Sequence, residues 1–339
     1  MSSEQPTNIV RWGIIGCGQI ATHAVCPCLR WSAYCDLTAV AGRDASGAQL
    51  KAREVQAKRS YGSYQELIED PEIDAVYIGL PNGLHEEWTV KAAEAGKHVL
   101  CEKSMALNSA AVRRMIEAAK KNNVRLMEAF MYRHHPQWDV VRGAVAEGKL
   151  GDVRIVRAGL CGQLVDTVNH RWSATLGGGA LYDVTCYGLN LARMIYNAEP
   201  HSVMAYADRN TREEVDRTSV VLLDFGHGRL AQISGSLSTY NHQFCEIEGN
   251  RGRITVGHPF IPGWEKTRVI VEYGMNSDSV EVPGANHFFH MVEHFALCVL
   301  DPSRPIAPGE MGLSQCLVNE AVEQSWIAGK SVEVESEGL

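Results

Sequence analysis

The feature that most constrains this chain lies within its first thirty or so residues. Val10–Ile15 (VRWGII) is a short apolar run that halts at Gly16-Cys17-Gly18-Gln19-Ile20-Ala21. A helical stretch over about residues 20–29 follows, and then a second apolar run over 37–41. Strand, glycine turn, helix and strand at this spacing make one βαβ unit. Gly16-x-Gly18-x-x-Ala21 has the form of a dinucleotide fingerprint with alanine at its third position. Gly16 permits the tight turn, Gly18 lets backbone approach a pyrophosphate, and the small Ala21 permits close helix–strand packing. The helix start at Gln19 and Ile20 adds amides without intrahelical partners and a partial positive charge, both suited to phosphate.

The same rhythm continues. Residues 75–80 read as a strand, 88–95 as a helix, His98–Cys101 as a strand, 109–122 as a helix and 125–128 as a strand. Short apolar runs divided by longer helices indicate a buried parallel sheet. Residues 1–130 are therefore expected to form a doubly wound α/β domain of Rossmann type. After a helix at about 137–147 the pattern changes to strand candidates at 153–160, 202–206, 219–225, 229–236, 244–248 and 268–273. Gly226-His227-Gly228 separates two of them as a hairpin. With helices near 188–195, 287–300 and 309–327, residues 131–339 are expected to form an α+β domain around a large, mostly antiparallel open sheet.

The end of the second strand bears on the cofactor. An NAD site usually presents a carboxylate to the ribose 2′-hydroxyl there. This chain reads Ala41-Gly42-Arg43-Asp44. Arg43 suits a 2′-phosphate or the adenine face, which favours NADP over NAD; the alternative is that Asp44 takes the ribose while Arg43 is only a solvated loop cation.

Bulk properties exclude several classes. A net charge of -8 gives no general attraction to nucleic acid. No window has the length of a membrane span, and the polar start lacks the pattern of a signal peptide, so a cytoplasmic location is expected. The ten cysteines are scattered with no Cys-x-x-Cys, and they read as reduced thiols. His290-Met-Val-Glu293-His294 matches the inverted zinc-protease pattern, with Glu320 as a conceivable third ligand. Its amphipathic setting (Phe288, Met291, Phe295) favours core packing, and no metal is expected.

Four further motifs stand in order along the chain: Pro81-Asn82-Gly83-Leu84-His85, Cys101-Glu102-Lys103, a segment from Glu128 through Met131 and Tyr132 to Arg133, and Gly177-Gly178-Gly179 leading to Asp183. Together they resemble the Gfo/Idh/MocA oxidoreductases. Asn169-His170-Arg171 ahead of the glycine triplet is similar to the NADP-dependent D-xylose 1-dehydrogenase subgroup, with the dihydrodiol dehydrogenase and glucose–fructose oxidoreductase subgroups also alike. The resemblance implies Pro81, Asn82, His85, Glu102 and Lys103 at the cofactor, and Arg133, Asn169, Arg171, Asp183 and Tyr187 at the substrate. It also implies a homodimer or homotetramer built through the second domain's sheet. One departure is plain: the family's Glu-Lys-Pro is here Glu102-Lys103-Ser104, which removes a constraint on the backbone beside the lysine. His85 also reads as the start of a helix with Glu86 and Glu87 in its first turn.

The expected chemistry is oxidation of a sugar hydroxyl, with hydride passing to nicotinamide and a proton to the protein. Lys103 follows a strand at the carboxyl edge of the sheet, where doubly wound folds bind ligands. Tyr187, four residues beyond Asp183, would share a helical face with it. Tyr187 is assigned the proton and Lys103 the tuning and polarising role, an assignment that is also open to exchange; Asp183 and Asn169 would hold other hydroxyls. The leading reading is an aldose oxidised at C1 to its lactone. The alternatives are an aldose/ketose oxidoreductase with recycling bound NADP, a trans-dihydrodiol dehydrogenase, and a non-catalytic dinucleotide-binding regulator.

Overall fold

A computed structural model describes residues 8–166, 168–210, 214–306 and 309–335. Two compact units emerge, residues 1–131 with 287–313, and residues 132–286 with 314–339.

The first unit is built on a six-stranded parallel sheet in the order β3-β2-β1-β4-β5-β6. Its strands are β1 (Val10–Ile15), β2 (Cys35–Ala41), β3 (Arg59–Tyr61), β4 (Ala75–Ile78), β5 (His98–Cys101) and β6 (Leu126–Glu128). Between them run α1 (Cys26–Trp31), α2 (Ala45–Val55), α3 (Tyr64–Glu69), α4 (His85–Glu94) and α5 (Ser109–Lys121). β1 and β4 are buried almost throughout, so neither shows polar alternation. α2 starts at Asp44, whose carboxylate accepts from the Gly47 amide, and α5 starts likewise at Asn108. Strand order reverses between β1 and β4, the switch point at which such sheets open a ligand crevice.

The division is not the single cut expected at residue 130. Helix α8 (His287–Leu300) packs on α1 and β1 of the first unit. Phe295 meets Trp12 with ring centroids 5.4 Å apart, and Glu293 accepts from the Ser32 hydroxyl at 3.0 Å. Both aromatic rings are fully buried, and an aromatic pair of this kind contributes about 0.5–1.5 kcal/mol beyond its area burial. An amphipathic stripe says that a helix is covered, not which sheet covers it. Glu293 of the inverted zinc pattern is thus engaged by Ser32, and among the described residues no group of three or more His, Cys, Asp or Glu could hold a metal.

The second unit carries a nine-stranded sheet, β14-β13-β12-β11-β7-β10-β9-β8-β15. In chain order its elements are α6 (Gln137–Ala146), β7 (Val153–Gln163), α7 (Cys186–Tyr196), β8 (Ser202–Asn210), β9 (Val215–Asp224), β10 (Leu230–Ser236), β11 (Ser238–Gly249), β12 (Gly252–Val256), β13 (Thr267–Tyr273), β14 (Asn276–Val282), α9 (Gly309–Ala328, its first residues in the first unit) and β15 (Val332–Glu333). All pairings are antiparallel except β7 with β10. β9 and β10 form the expected hairpin about Gly226-His227-Gly228. α7 lies on the inner face of β7 and β10, and Gly188 and Gly235 carry no Cβ where Ile233 and Thr185 fill the space.

Candidate active site

In the first unit every motif falls at the carboxyl ends of the strands. Gly16 ends β1 with φ +88°, and a Cβ there would stand 2.7 Å from Leu80 and 2.8 Å from the Gly79 carbonyl. Only glycine fits, because the turn after β1 meets the turn after β4 backbone to backbone. Gly18, Gln19 and Ile20 lie exposed at the start of the following helix, while Ala21 is buried against the sheet. Residues 21–25 of that helix take a π turn before α1 continues, a geometry that is frequent at functional sites. Cys17 beside this turn bonds the Ala41 carbonyl, and burial pushes its thiol up to about 11, so it is a packing residue and not a nucleophile.

Arg43 is exposed past the end of β2, and none of the described residues forms a hydrogen bond or ion pair with its guanidinium. Asp44, the alternative ribose ligand, is turned to helix α2: Oδ1 accepts from the Gly47 amide at 2.8 Å and from the Ser46 hydroxyl at 2.7 Å. Those bonds hold its carboxyl below the usual range. The cation is thus open to an incoming phosphate, while one oxygen of the carboxylate is engaged at the α2 cap.

Pro81 and Asn82 follow β4, with Asn82 opening a short 3-10 turn that runs into α4. Glu102 and Lys103 follow β5. The Glu102 carboxylate accepts from the buried Tyr77 hydroxyl at 2.7 Å and from the Lys103 amide at 3.1 Å, which fixes the turn that carries the lysine. The Lys103–Ser104 peptide is cis, and Ser104 is buried. Glu128 at the end of β6 accepts from the Met105 amide at 2.8 Å.

His85 takes the helix-start reading of its two. It opens α4, with Glu86 and Glu87 in the first turn, and its ring is fully buried. Nδ1 lies 2.9 Å from the Ser104 carbonyl and Nε2 2.8 Å from the Leu80 carbonyl. Both nitrogens are taken by backbone, so the ring does not present a donor to a ribose.

In the second unit a cavity of about 680 Å³ opens on the sheet beside β7 and β11, lined by Gln163, Arg171, Asp183, Asn241, His242 and His258 among others. Arg171 Nε donates to Asp183 Oδ2 at 2.7 Å, and the pair is only partly exposed. Asn169 Oδ1 accepts from the Arg171 amide at 3.1 Å and caps the short helix His170–Trp172, so it organises this loop. The glycine triplet closes the loop: Gly178 and Gly179 donate their amides to the Ser173 and Arg171 carbonyls. Gly179, at φ +101°, leaves no Cβ where Asp216 Oδ1 sits. Asp216, buried on β9, accepts from the Leu181 amide at 2.9 Å, and burial raises its carboxyl to about 6.

Asp183 and Tyr187 do not share one α-helical face, because residues 181–185 form a π turn ahead of α7. The wider turn shifts the angle between residues four apart. Tyr187 is buried between Tyr132 and Phe260, with centroids at 5.9 and 5.5 Å. Tyr132 donates its hydroxyl to Asn190 Oδ1 at 2.7 Å, and Arg133 Nη1 donates to the same oxygen at 3.1 Å. Tyr187 therefore stands in a rigid aromatic wall, and Arg133 braces it through Asn190. The cavity residues on β11, His242 and Asn241, and Asp216 carried no motif; only their place on the folded sheet reveals them.

Against this geometry the comparisons with known proteins are concordant. A model of an oxidoreductase family with an NAD-binding Rossmann fold, GFO_IDH_MocA, matches residues 10–130. A second model, the GFO/IDH/MocA C-terminal domain, matches residues 138–255. The trans-1,2-dihydrobenzene-1,2-diol dehydrogenase of Xenopus laevis is 33% identical over 93% of this chain and 97% of its own length. A D-xylose 1-dehydrogenase (NADP(+)) of Haloferax volcanii is 31% identical over 96% of this chain and 99% of its own. The crystal structure of KijD10, a 3-ketoreductase from Actinomadura kijaniata in complex with NADP and TDP-benzene, superposes with a TM-score of 0.89 at 29% identity, covering 94% of this chain and 98% of that one.

Proposed function

This chain belongs to the GFO/IDH/MocA oxidoreductase family, and from that premise we propose that it oxidises an aldopyranose at C1 to the lactone with NADP, D-xylose being the first candidate substrate. The observation that carries the substrate class is the second unit's cavity, whose amides, imidazoles and Arg171–Asp183 pair suit a ligand rich in hydroxyls. The exposed Arg43 guanidinium, with no hydrogen bond or ion pair to the described residues, supports NADP, because a 2′-phosphate gives it charge-assisted partners while Asp44 is held at the α2 cap.

The residues present fit the dinucleotide. Gly16, Gly18 and the amides of Gln19 and Ile20 would receive the pyrophosphate, Arg43 the 2′-phosphate, and Pro81, Asn82 and Glu102 would border the nicotinamide end. The bound nicotinamide supplies the hydride acceptor. The protein has to take the hydroxyl proton and hold the sugar. Tyr187, fixed by its aromatic neighbours, takes the proton, and Lys103, on its Glu102-fixed turn, polarises the substrate oxygen and eases ionisation of the phenol. Asp183, oriented by Arg171, accepts from a second hydroxyl.

Tyr187→Phe and Lys103→Met test this assignment. Each is expected to lower kcat by about 10²–10⁴-fold, while the Kd for NADP stays within about threefold. Near wild-type turnover in both would refute it.

One observation favours a second reading. A cavity of about 680 Å³ is generous for a lone pentose, and its size matches larger ligands. A trans-dihydrodiol, or a nucleotide-linked keto sugar reduced in the opposite direction, fits that volume better. Absorbance at 340 nm across aldoses, dihydrodiols and nucleotide-linked keto sugars separates these. Cofactor that stays with the purified protein and cycles without net absorbance change would mark an aldose/ketose oxidoreductase instead.

The outward face of the large sheet exposes Tyr206, Val220, Leu222 and Leu230. We assign this face to a homodimer or homotetramer contact, to be checked by light scattering. No helix among the described residues is long and apolar enough to cross a membrane. No disulfide joins the ten cysteines among the described residues.

A further inference from the structure

The buried imidazole of His85 joins two turns that each carry a motif. Its Nε2 faces the Leu80 carbonyl, on the turn that continues into Pro81 and Asn82. Its Nδ1 faces the Ser104 carbonyl, one residue past Lys103. The carbonyls can only accept, so each contact becomes a hydrogen bond when its own ring nitrogen carries hydrogen. A neutral imidazole satisfies one of them, and an imidazolium both. Burial lowers the pKa of His85 and the nearby Lys103 charge adds to that, while the two carbonyls pull the other way. An apolar side chain would fill the same space without this cost of burying a polar ring. The ring is also remote from solvent, with its neighbours Ser104 and Met105 buried as well.

We propose that His85 is a positioning residue: its imidazole sets the separation between the turn bearing Pro81 and Asn82 and the turn bearing Lys103, and so aims the lysine relative to the cofactor. The functional part of this inference rests on Lys103 taking part in the reaction, as proposed above. The mechanical part does not.

Three variants probe the two contacts one at a time. His85→Asn places an amide near the Nδ1 position and keeps a donor toward Ser104. His85→Gln reaches the Nε2 position and keeps a donor toward Leu80. His85→Leu keeps bulk and neither donor. Hydrogen exchange of the intact protein reads the joint without any turnover. In His85→Leu the amides of residues 82–84 and 103–106 are expected to exchange at least about tenfold faster, with the rest of the first unit unchanged. His85→Asn should restore protection at 103–106 alone, and His85→Gln at 82–84 alone. Unchanged exchange, or a uniform rise across the unit, would overturn the joint and leave an ordinary core histidine.

Turnover reads the consequence. His85→Leu should lose about 100-fold in kcat, as for a displaced catalytic group, with the NADP Kd within about threefold, since the amides of residues 18–20 and Arg43 stand apart from the joint. His85→Asn should recover most of that loss and His85→Gln little. Rescue by neither, or loss confined to cofactor affinity, would overturn the aiming role. If no sugar or diol is turned over at all, the proposed reaction fails while the exchange pattern still decides the joint.

Discussion

Asp216 offers the most quantitative test of how the second unit is held. Its carboxyl lies on β9, 5% exposed, and accepts the Leu181 amide beneath the π turn that carries Asp183. Desolvation is the largest influence on it, the bonds from Leu181 and Ser219 oppose desolvation, and Glu323 adds a smaller rise, leaving a value of about 6 against 3.8 for the free group. Because the folded value is the higher one, the folded chain binds more protons than the unfolded chain between about pH 4 and 6. The group's stabilisation is therefore complete below 3.8 and is lost as pH rises through 6. A difference of about two units is worth about 3 kcal/mol once the titration is complete, near pH 7, and about 1 kcal/mol at pH 4.5. Asp216→Asn removes this titration and keeps an oxygen for Leu181, at the expense of about 1 kcal/mol for the altered bond to Ser219. The stability of the variant relative to the native chain should rise by about 2 kcal/mol from pH 4.5 to 7. In a unit of about 180 residues that is a relative gain of about 4–8 °C in Tm. Scanning calorimetry of both proteins over this range measures it. A relative Tm that stays level, or falls as pH rises, would show that Asp216 titrates like an exposed carboxylate and refute the reasoning.

Other outcomes follow from the same geometry. Arg43→Ala should weaken NADP binding about 10–100-fold, the loss of one or two charge-assisted bonds, and leave NAD within about twofold in a fluorescence titration. Arg171→Ala should raise the KM for substrate about tenfold by releasing Asp183, yet move Tm by no more than about 4 °C, because a half-exposed ion pair is worth at most about 1 kcal/mol. Elemental analysis should find no stoichiometric zinc, since Glu293 of the His-x-x-Glu-His pattern is bonded to Ser32.

The parallel sheet was legible because β1, β4 and β5 are buried on both faces over most of their length and so read as apolar runs without polar alternation. Residues 45–69 were not, for α2 shows a weak, alanine-lined face and β3 is three residues at the sheet edge. The placement of Gly16, Gly18 and Lys103 could be read because it depends on chain order alone: each lies in the turn that follows a strand. The facing of Asp183 and Tyr187 could not, because a 3.6-residue period was assumed where the chain takes a π turn. Asp216 escaped for a similar reason. Counting back in twos from the buried Ser219 places residue 216 outward, but β8 and β9 slip register between Asp208 and Arg209, opposite Arg217. That bulge reverses the alternation and turns the carboxylate inward. His85 was visible as a motif letter and as a helix start, but its two carbonyl partners lie 5 residues back and 19 residues on, a tertiary fact.

The return of α8 to the first unit has a consequence for how this protein can be divided or recombined. The chain passes from one unit to the other three times, after residues 131, 286 and 313. A fragment ending near residue 130 would leave the Trp12 face without Phe295 and Ser32 without Glu293. Its sheet would be complete and its cover would not. Grafting a different second unit onto this nucleotide-binding unit would therefore mean replacing two stretches, one inserted between residues 131 and 287 and one following residue 313. Appending a module at one end would not suffice, because the segment of residues 287–313 returns to the first unit between them.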